Sequence, residues 1–270
     1  MSTVSTTRVT TSGGISLLAA IPDREPTRHV LLLHGIGGNA RSCRAAAELL
    51  AARGIAAYAW DAPGYGDSAD PTGAVDLPAA VLGVLDTLGI DRVDLFGTSW
   101  GGVIAAQVAA RTPDRIRTLT LADSTRGSGI TGERAAAMRG RVAALTEAGA
   151  PAFAAGRAPK LVSPTAPSAV AEAVRTEMAR VRVPGYRVAA EFMAATDNTD
   201  LLRGLTVPTL VVVGADDVVT GVAESELLAT LIPGAAYAVL PDAGHSAVTE
   251  RPEAMVAALT RFWEKADIHA

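Results

Sequence analysis

The 270-residue chain has a formal net charge of −4 and draws 49% of its residues from the hydrophobic set, enough to bury a large core in one domain with an insertion. That mildly acidic balance excludes nucleic acid or an anionic membrane surface as the main partner, and the single cysteine, Cys43, excludes an internal disulfide. No apolar run approaches the roughly 20 residues of a membrane-spanning helix, and the opening MSTVSTTRVTTSGG lacks the basic start and apolar stretch of a signal peptide, so a cytoplasmic protein is expected.

Residues Arg8 to Ile21 alternate as two strands around the Ser12-Gly13-Gly14 turn, a hairpin at one sheet edge. His29 to Leu33 is an apolar run suited to a strand covered on both faces. It leads into His34-Gly35-Ile36-Gly37-Gly38, and Ala45 to Arg53 follows as an Ala- and Leu-rich helix. Ile55 to Trp60 is the next strand, ending in the turn-rich loop Asp61 to Ser68. Leu77 to Leu88 is helical, Val93 to Phe96 is a strand, and Val103 to Ala109 continues as an apolar helix.

Between that strand and that helix stands Gly97-Thr98-Ser99-Trp100-Gly101, which fits G-x-S-x-G. A serine hydroxyl is a poor nucleophile unless it is held clear of backbone hydrogen bonding and set beside a base. A sharp strand-to-helix turn does the first, and aims the leading amides of the helix at the space above the serine. Small residues at positions 97 and 101 follow, because strand and helix crowd each other there.

Ile116 to Ala122 is a further strand, after which strict alternation stops. The segment Asp123 to Leu205 carries helical patterns such as Glu133 to Ala148 and Ser168 to Arg180, broken by Pro151, Pro159, Pro164 and Pro184. Alternation resumes with a strand at Thr209 to Val213, a helix at Glu224 to Leu231, a last strand at Tyr237 to Leu240 and a terminal helix at Ala254 to Lys265. The pattern predicts an α/β architecture: an eight-stranded, mostly parallel sheet flanked by helices, with a helical lid (124–205) inserted after the sixth strand into a core of 1–123 and 206–270.

In such a sheet the reactive groups gather at the carboxyl ends of the strands. Of the four histidines, His29, His34, His245 and His269, His245 lies in a loop just after the last strand and is the expected base for Ser99. The acid that orients it is expected at Asp217, with the neighbouring Asp216 as the alternative and Asp123, at another strand end, as a weaker third. Two N–H groups must converge on the developing oxyanion, and those of Ile36 and Trp100 are placed for it; His34 is read as holding the Gly35–Ile36 loop. Trp100, Ile36, Tyr65, Met138 and Phe192 are candidates to line the substrate pocket, as are Met178 and Met193.

These motifs, in the order nucleophile, acid, histidine, resemble the α/β-hydrolase fold superfamily over nearly the whole chain. Within it the chain is similar to small-lid carboxylesterases and 3-oxoadipate enol-lactonase-like hydrolases. The resemblance implies hydrolysis of a small-molecule carboxylic ester or lactone through a Ser-His-Asp triad and an acyl-enzyme, with no cofactor and no metal. Branches with Asp at the elbow are set aside by Ser99. Carbon-carbon hydrolases, polyhydroxyalkanoate depolymerases, peptidase-like members and a non-catalytic ligand sensor are the alternatives, and monomer and homodimer both stay open. The lid is rich in arginine: Arg126, Arg134, Arg139, Arg141, Arg157, Arg175, Arg180, Arg182, Arg187 and Arg203, with Lys160. A solvated helical surface accounts for most of these, and the sharper expectation is that one or two bind a substrate carboxylate.

Overall fold

A computed structural model describes residues 4–268; His269 lies outside them. The strands are β1 (Val4–Thr10), β2 (Ser16–Pro22), β3 (Arg28–Leu33), β4 (Ile55–Trp60), β5 (Val93–Thr98), β6 (Ile116–Ala122), β7 (Thr209–Gly214) and β8 (Ala236–Leu240). They form one 8-stranded sheet in the order β1-β2-β4-β3-β5-β6-β7-β8. The β1–β2 hairpin and the β2–β4 pair are antiparallel, and the rest of the sheet is parallel from β4 to β8.

Successive strand residues face opposite sides of the sheet, and the core divides accordingly. Leu31, Leu33, Leu95, Leu119 and Val211 pack with α2 (Leu77–Leu88) and α3 (Trp100–Arg111) on one face. Val30, Leu32, Phe96 and Val212 pack with α1 (Arg44–Ala51) and the terminal helix α10 (Pro252–Ile268) on the other. The nearly unbroken apolar reading of β3, β5 and β7 thus reflects burial on both faces.

Between β6 and β7 the chain runs through α4 (Gly132–Arg157), α5 (Ser168–Met178), α6 (Val183–Ala195) and α7 (Thr199–Arg203). Helix α4 breaks at Gly149, whose φ of 73° and ψ of 157° are non-helical, and Pro151 falls just after the break. Helix α6 begins where Pro184 suggests only a breaker: the proline occupies the first turn, where its missing N–H has no intrahelical partner to lose. Met138, Met178, Tyr186 and Leu202 belong to the same apolar cluster as Leu31 and Leu95, so the inserted helices share a core with one sheet face. Beyond β7, α8 (Val222–Leu231) and the short α9 (Ala247–Glu250) complete the chain's helices up to α10. No helix among the described residues is long and apolar enough to cross a membrane.

Candidate active site

The turn from β5 into α3 holds Ser99 at φ 53° and ψ −118°, a conformation that costs a non-glycine residue energy and persists only where its surroundings enforce it. They do so here. The Ser99 amide donates to the Ala122 carbonyl at 2.8 Å, and the Ser124 hydroxyl donates to the Ser99 carbonyl at 2.9 Å. A Cβ on Gly97 would run into the Gly101 carbonyl, and one on Gly101 into the Leu33 carbonyl; this is the crowding that the small residues around the serine relieve.

The Ser99 hydroxyl lies 3.0 Å from His245 Nε2, and His245 Nδ1 lies 3.0 Å from Asp217 Oδ2. Asp217 is held in turn. Its Oδ2 accepts from the Thr220 hydroxyl at 2.6 Å, and its Oδ1 from the Val219 and Thr220 amides at 2.7 and 3.2 Å. Burial works to raise the Asp217 pKa, but the hydrogen bond and charge of His245, the Thr220 hydroxyl and the Val219 amide outweigh it and bring the carboxyl down to about 2. A carboxylate that stays ionised at neutral pH is what fixes a histidine's tautomer and stabilises its imidazolium.

The other two acid candidates go elsewhere. Asp216 accepts from the Ser163 hydroxyl at 2.6 Å, so the adjacent carboxylates point apart. Asp123 is fully buried at the end of β6, with φ 47°, and accepts the Gly214 amide at 2.9 Å. Burial first, and then the charge of Asp217, push its pKa well above the ordinary range. Sequence reasoning missed this shift, as it missed Thr220, whose hydroxyl also lies 3.1 Å from the Asp123 carbonyl.

The loop after β3 covers the serine: a Cβ on Gly35 would sit 3.3 Å from Ser99 Cβ. Neither the Ile36 nor the Trp100 amide donates to a protein acceptor among the described residues, which leaves both N–H groups free for an oxyanion. His34 is wholly buried. It accepts the Ala62 amide through Nε2 at 3.1 Å, so its Nδ1 carries the proton and donates to the Gly35 carbonyl at 2.8 Å. Burial lowers its pKa, and the neutral ring ties the loop to the end of β4.

Tyr65, expected in the pocket wall, is 1% exposed and does not line the cavity. Its hydroxyl donates to the Ile36 carbonyl at 3.1 Å and its ring packs against His34 and Trp100 at centroid distances of 4.9 and 5.4 Å. It therefore supports the loop from beneath. Phe192, on α6, also lies outside the lining, half-buried against the apolar core. Trp100 contributes to the cavity wall while its indole is buried beside His34.

A cavity of about 560 Å³ opens above Ser99 and His245, within the range of small-molecule sites. Ile36, Gly37, Met138, Val174, Met178 and Met193 form apolar wall, and Arg134, Arg141 and Arg157 come from α4. No group of three or more His, Cys, Asp or Glu side chains among the described residues is placed to hold a metal ion.

The family model described as alpha/beta hydrolase fold matches residues 28–252. The chain belongs to the α/β-hydrolase fold family. It is 29% identical over 202 residues to 3-oxoadipate enol-lactonase 2 of Acinetobacter baylyi, covering 72% of this chain and 73% of that one. Among solved structures, a thermophilic esterase from Thermogutta terrifontis, with malate bound, superposes with a TM-score of 0.85 at 28% identity, covering 97% of this chain and 99% of that one. The enol-lactonase of Burkholderia xenovorans gives 0.83 at 26% identity, over 96% and 100% of the two chains. The eight-stranded, mostly parallel sheet and the hydrolase family expected from the sequence are those found, and the family and its neighbours make this protein a hydrolase.

Proposed function

We propose that the protein is a serine hydrolase of carboxylic esters or lactones, acting in the cytoplasm on a small-molecule substrate, with residues 124–205 as the lid over a core formed by the remainder. The observation that supports this most is the unbroken chain from Asp217 through His245 to the strained Ser99, at 3.0 and 3.0 Å. In the first half-reaction His245 Nε2 takes the Ser99 proton as Oγ attacks the substrate carbonyl. The Ile36 and Trp100 amides hold the oxyanion of the tetrahedral intermediate. Collapse of that intermediate breaks the bond to the leaving alcohol oxygen, which receives the proton from His245. A water, deprotonated by His245, then attacks the acyl carbon, and the proton returns to Ser99 as the acid departs.

Similarity to an enol-lactonase and an esterase supports ester or lactone as the bond. The test is pre-steady-state release of p-nitrophenol from p-nitrophenyl esters of increasing acyl length, beside simple lactones and an enol lactone. A burst equal to the enzyme concentration, absent in Ser99→Ala, is the expected result; turnover that persists in Ser99→Ala would contradict the assignment.

A further inference from the structure

The cavity wall is electrically lopsided. Among its charged side chains, Glu224 is bound by Arg126 at 3.0 Å, Glu177 is engaged by Asn39 at 2.9 Å and Arg180 at 3.5 Å, and Arg44 pairs with Glu48 at 2.8 Å. Arg41, Arg134, Arg141 and Arg157 also line the cavity, and none of them has a carboxylate partner among the described residues. Four guanidinium groups without a carboxylate partner thus line the space above Ser99 in a chain of net charge −4.

Arg157 is the sharpest case. Its Nε is buried without a hydrogen-bond partner, and its guanidinium carbon stands 5.5 Å from the Phe153 ring centroid. Arg141 acts on it as a like charge, and both guanidinium groups influence the buried Tyr186 phenol. Two cations brought together with an orphaned donor and no anion form an arrangement that costs free energy as it stands. A carboxylate relieves both faults, because its two oxygens accept from planar guanidinium forks in a bidentate geometry.

Resting on the hydrolase reading above, we propose that the substrate carries a carboxylate remote from the scissile bond, received in the cavity by Arg141 and Arg157. The positive wall draws the anionic substrate in, and the methionine- and valine-lined surface accommodates the chain between carboxylate and scissile carbonyl.

Two matched pairs of substrates test this. In one, the charge is on the acyl part: mono-p-nitrophenyl glutarate against its methyl-capped ester. In the other it is on the alcohol part: 4-acetoxybenzoate against methyl 4-acetoxybenzoate. The expected result is that kcat/KM favours the charged member of at least one pair by about tenfold or more, a ratio that falls as salt rises. Arg157→Met and Arg141→Met should each bring that ratio down about tenfold, whereas Arg139→Met, on the same helix but paired outside the cavity with Glu191, should leave it unchanged. Should a methionine variant fail to fold, competitive inhibition of neutral-ester hydrolysis by glutarate, absent with the uncharged, non-ester glutaramide, carries the same decision. A ratio near one in both pairs, with Ser99-dependent hydrolysis intact, would overturn the anion site and leave the hydrolase reading standing. So would a preference that survives in folded Arg141→Met and Arg157→Met. No hydrolysis of any ester, with Ser99 unreactive to a fluorophosphonate, would instead overturn the hydrolase reading itself.

Discussion

The strand ends and the inserted helices solve opposite problems on the two sides of one cavity. At the ends of β5 and β7, and in the loop after β8, nearly every polar group has its partner. Ser99 is fixed through its amide and carbonyl, His245 through both nitrogens and Asp217 through both oxygens. Across from them, α4 brings guanidinium groups without partners, a glycine break and Met138, with Met178 and Met193 from α5 and α6. Preorganised dipoles matter where charge develops during reaction, whereas the groups that select a substrate can stand unsatisfied until it arrives. The sides are joined at defined points: Glu250 accepts amides from both Ser163 and Gly244, at 2.7 and 2.9 Å, and the Ser246 amide donates to the Leu161 carbonyl at 2.8 Å. The histidine loop is therefore braced by the insertion that covers it.

Changes on the rigid side should be the most costly. Ser99→Ala is expected to lower kcat/KM on a p-nitrophenyl ester by about four to six orders of magnitude. Asp217→Asn should lower kcat by about 10⁴, because the amide misorients His245. Asp217 also couples activity to stability. With its pKa lowered from 3.8 to about 2, it stabilises the fold at any pH above its unfolded value, and that contribution is lost as pH falls through about 2. The unfolding free energies of wild type and Asp217→Asn should therefore converge by roughly 2 kcal/mol between about pH 5 and pH 2, as denaturant titrations at each pH would read.

How much of this contrast could be read from the sequence depends on what each part rests on. The elbow was legible because a nucleophile on a tight turn needs small neighbours on both sides, and Gly97 and Gly101 supply them. The strand ends of β5 and β7 were legible because double burial leaves apolar runs. Tyr65 misled: an aromatic beside a glycine-rich loop suits a pocket wall, yet its hydroxyl is used on the Ile36 carbonyl, a pairing across the fold that no local pattern encodes. Asp123 was visible as a strand-end carboxylate, but the upward shift of its pKa arises from total burial beside Asp217, which only the packed structure creates. Helix α6 was obscured because Pro184 reads the same at a helix start as at a break.

Smaller effects should follow from these supporting groups. Tyr65→Phe removes the donor to the Ile36 carbonyl, and a buried acceptor left unpaired costs about 1–3 kcal/mol; a fall in kcat of about tenfold, with a smaller change in KM, would locate that cost in the loop after β3. Asp123→Asn keeps an oxygen for the Gly214 amide, so its effect on kcat should be slight. Its signature is in pH dependence. A carboxyl with a raised folded pKa binds more protons folded than unfolded, so the stability of the wild type declines as pH rises above the ordinary carboxyl range. Asp123→Asn should lack that component, and its melting temperature relative to wild type should rise from pH 4 to pH 8. A difference that stays flat with pH would mean that burial does not raise the Asp123 carboxyl.

The most direct test of the account is to quench the enzyme in acid during steady turnover of a p-nitrophenyl ester and weigh the intact protein and its peptides. The account predicts a mass increase equal to the acyl group, carried on the peptide containing Ser99 and absent from Ser99→Ala. Rapid turnover with no covalent adduct under conditions that trap acyl-enzymes, or an adduct on another residue, would contradict it.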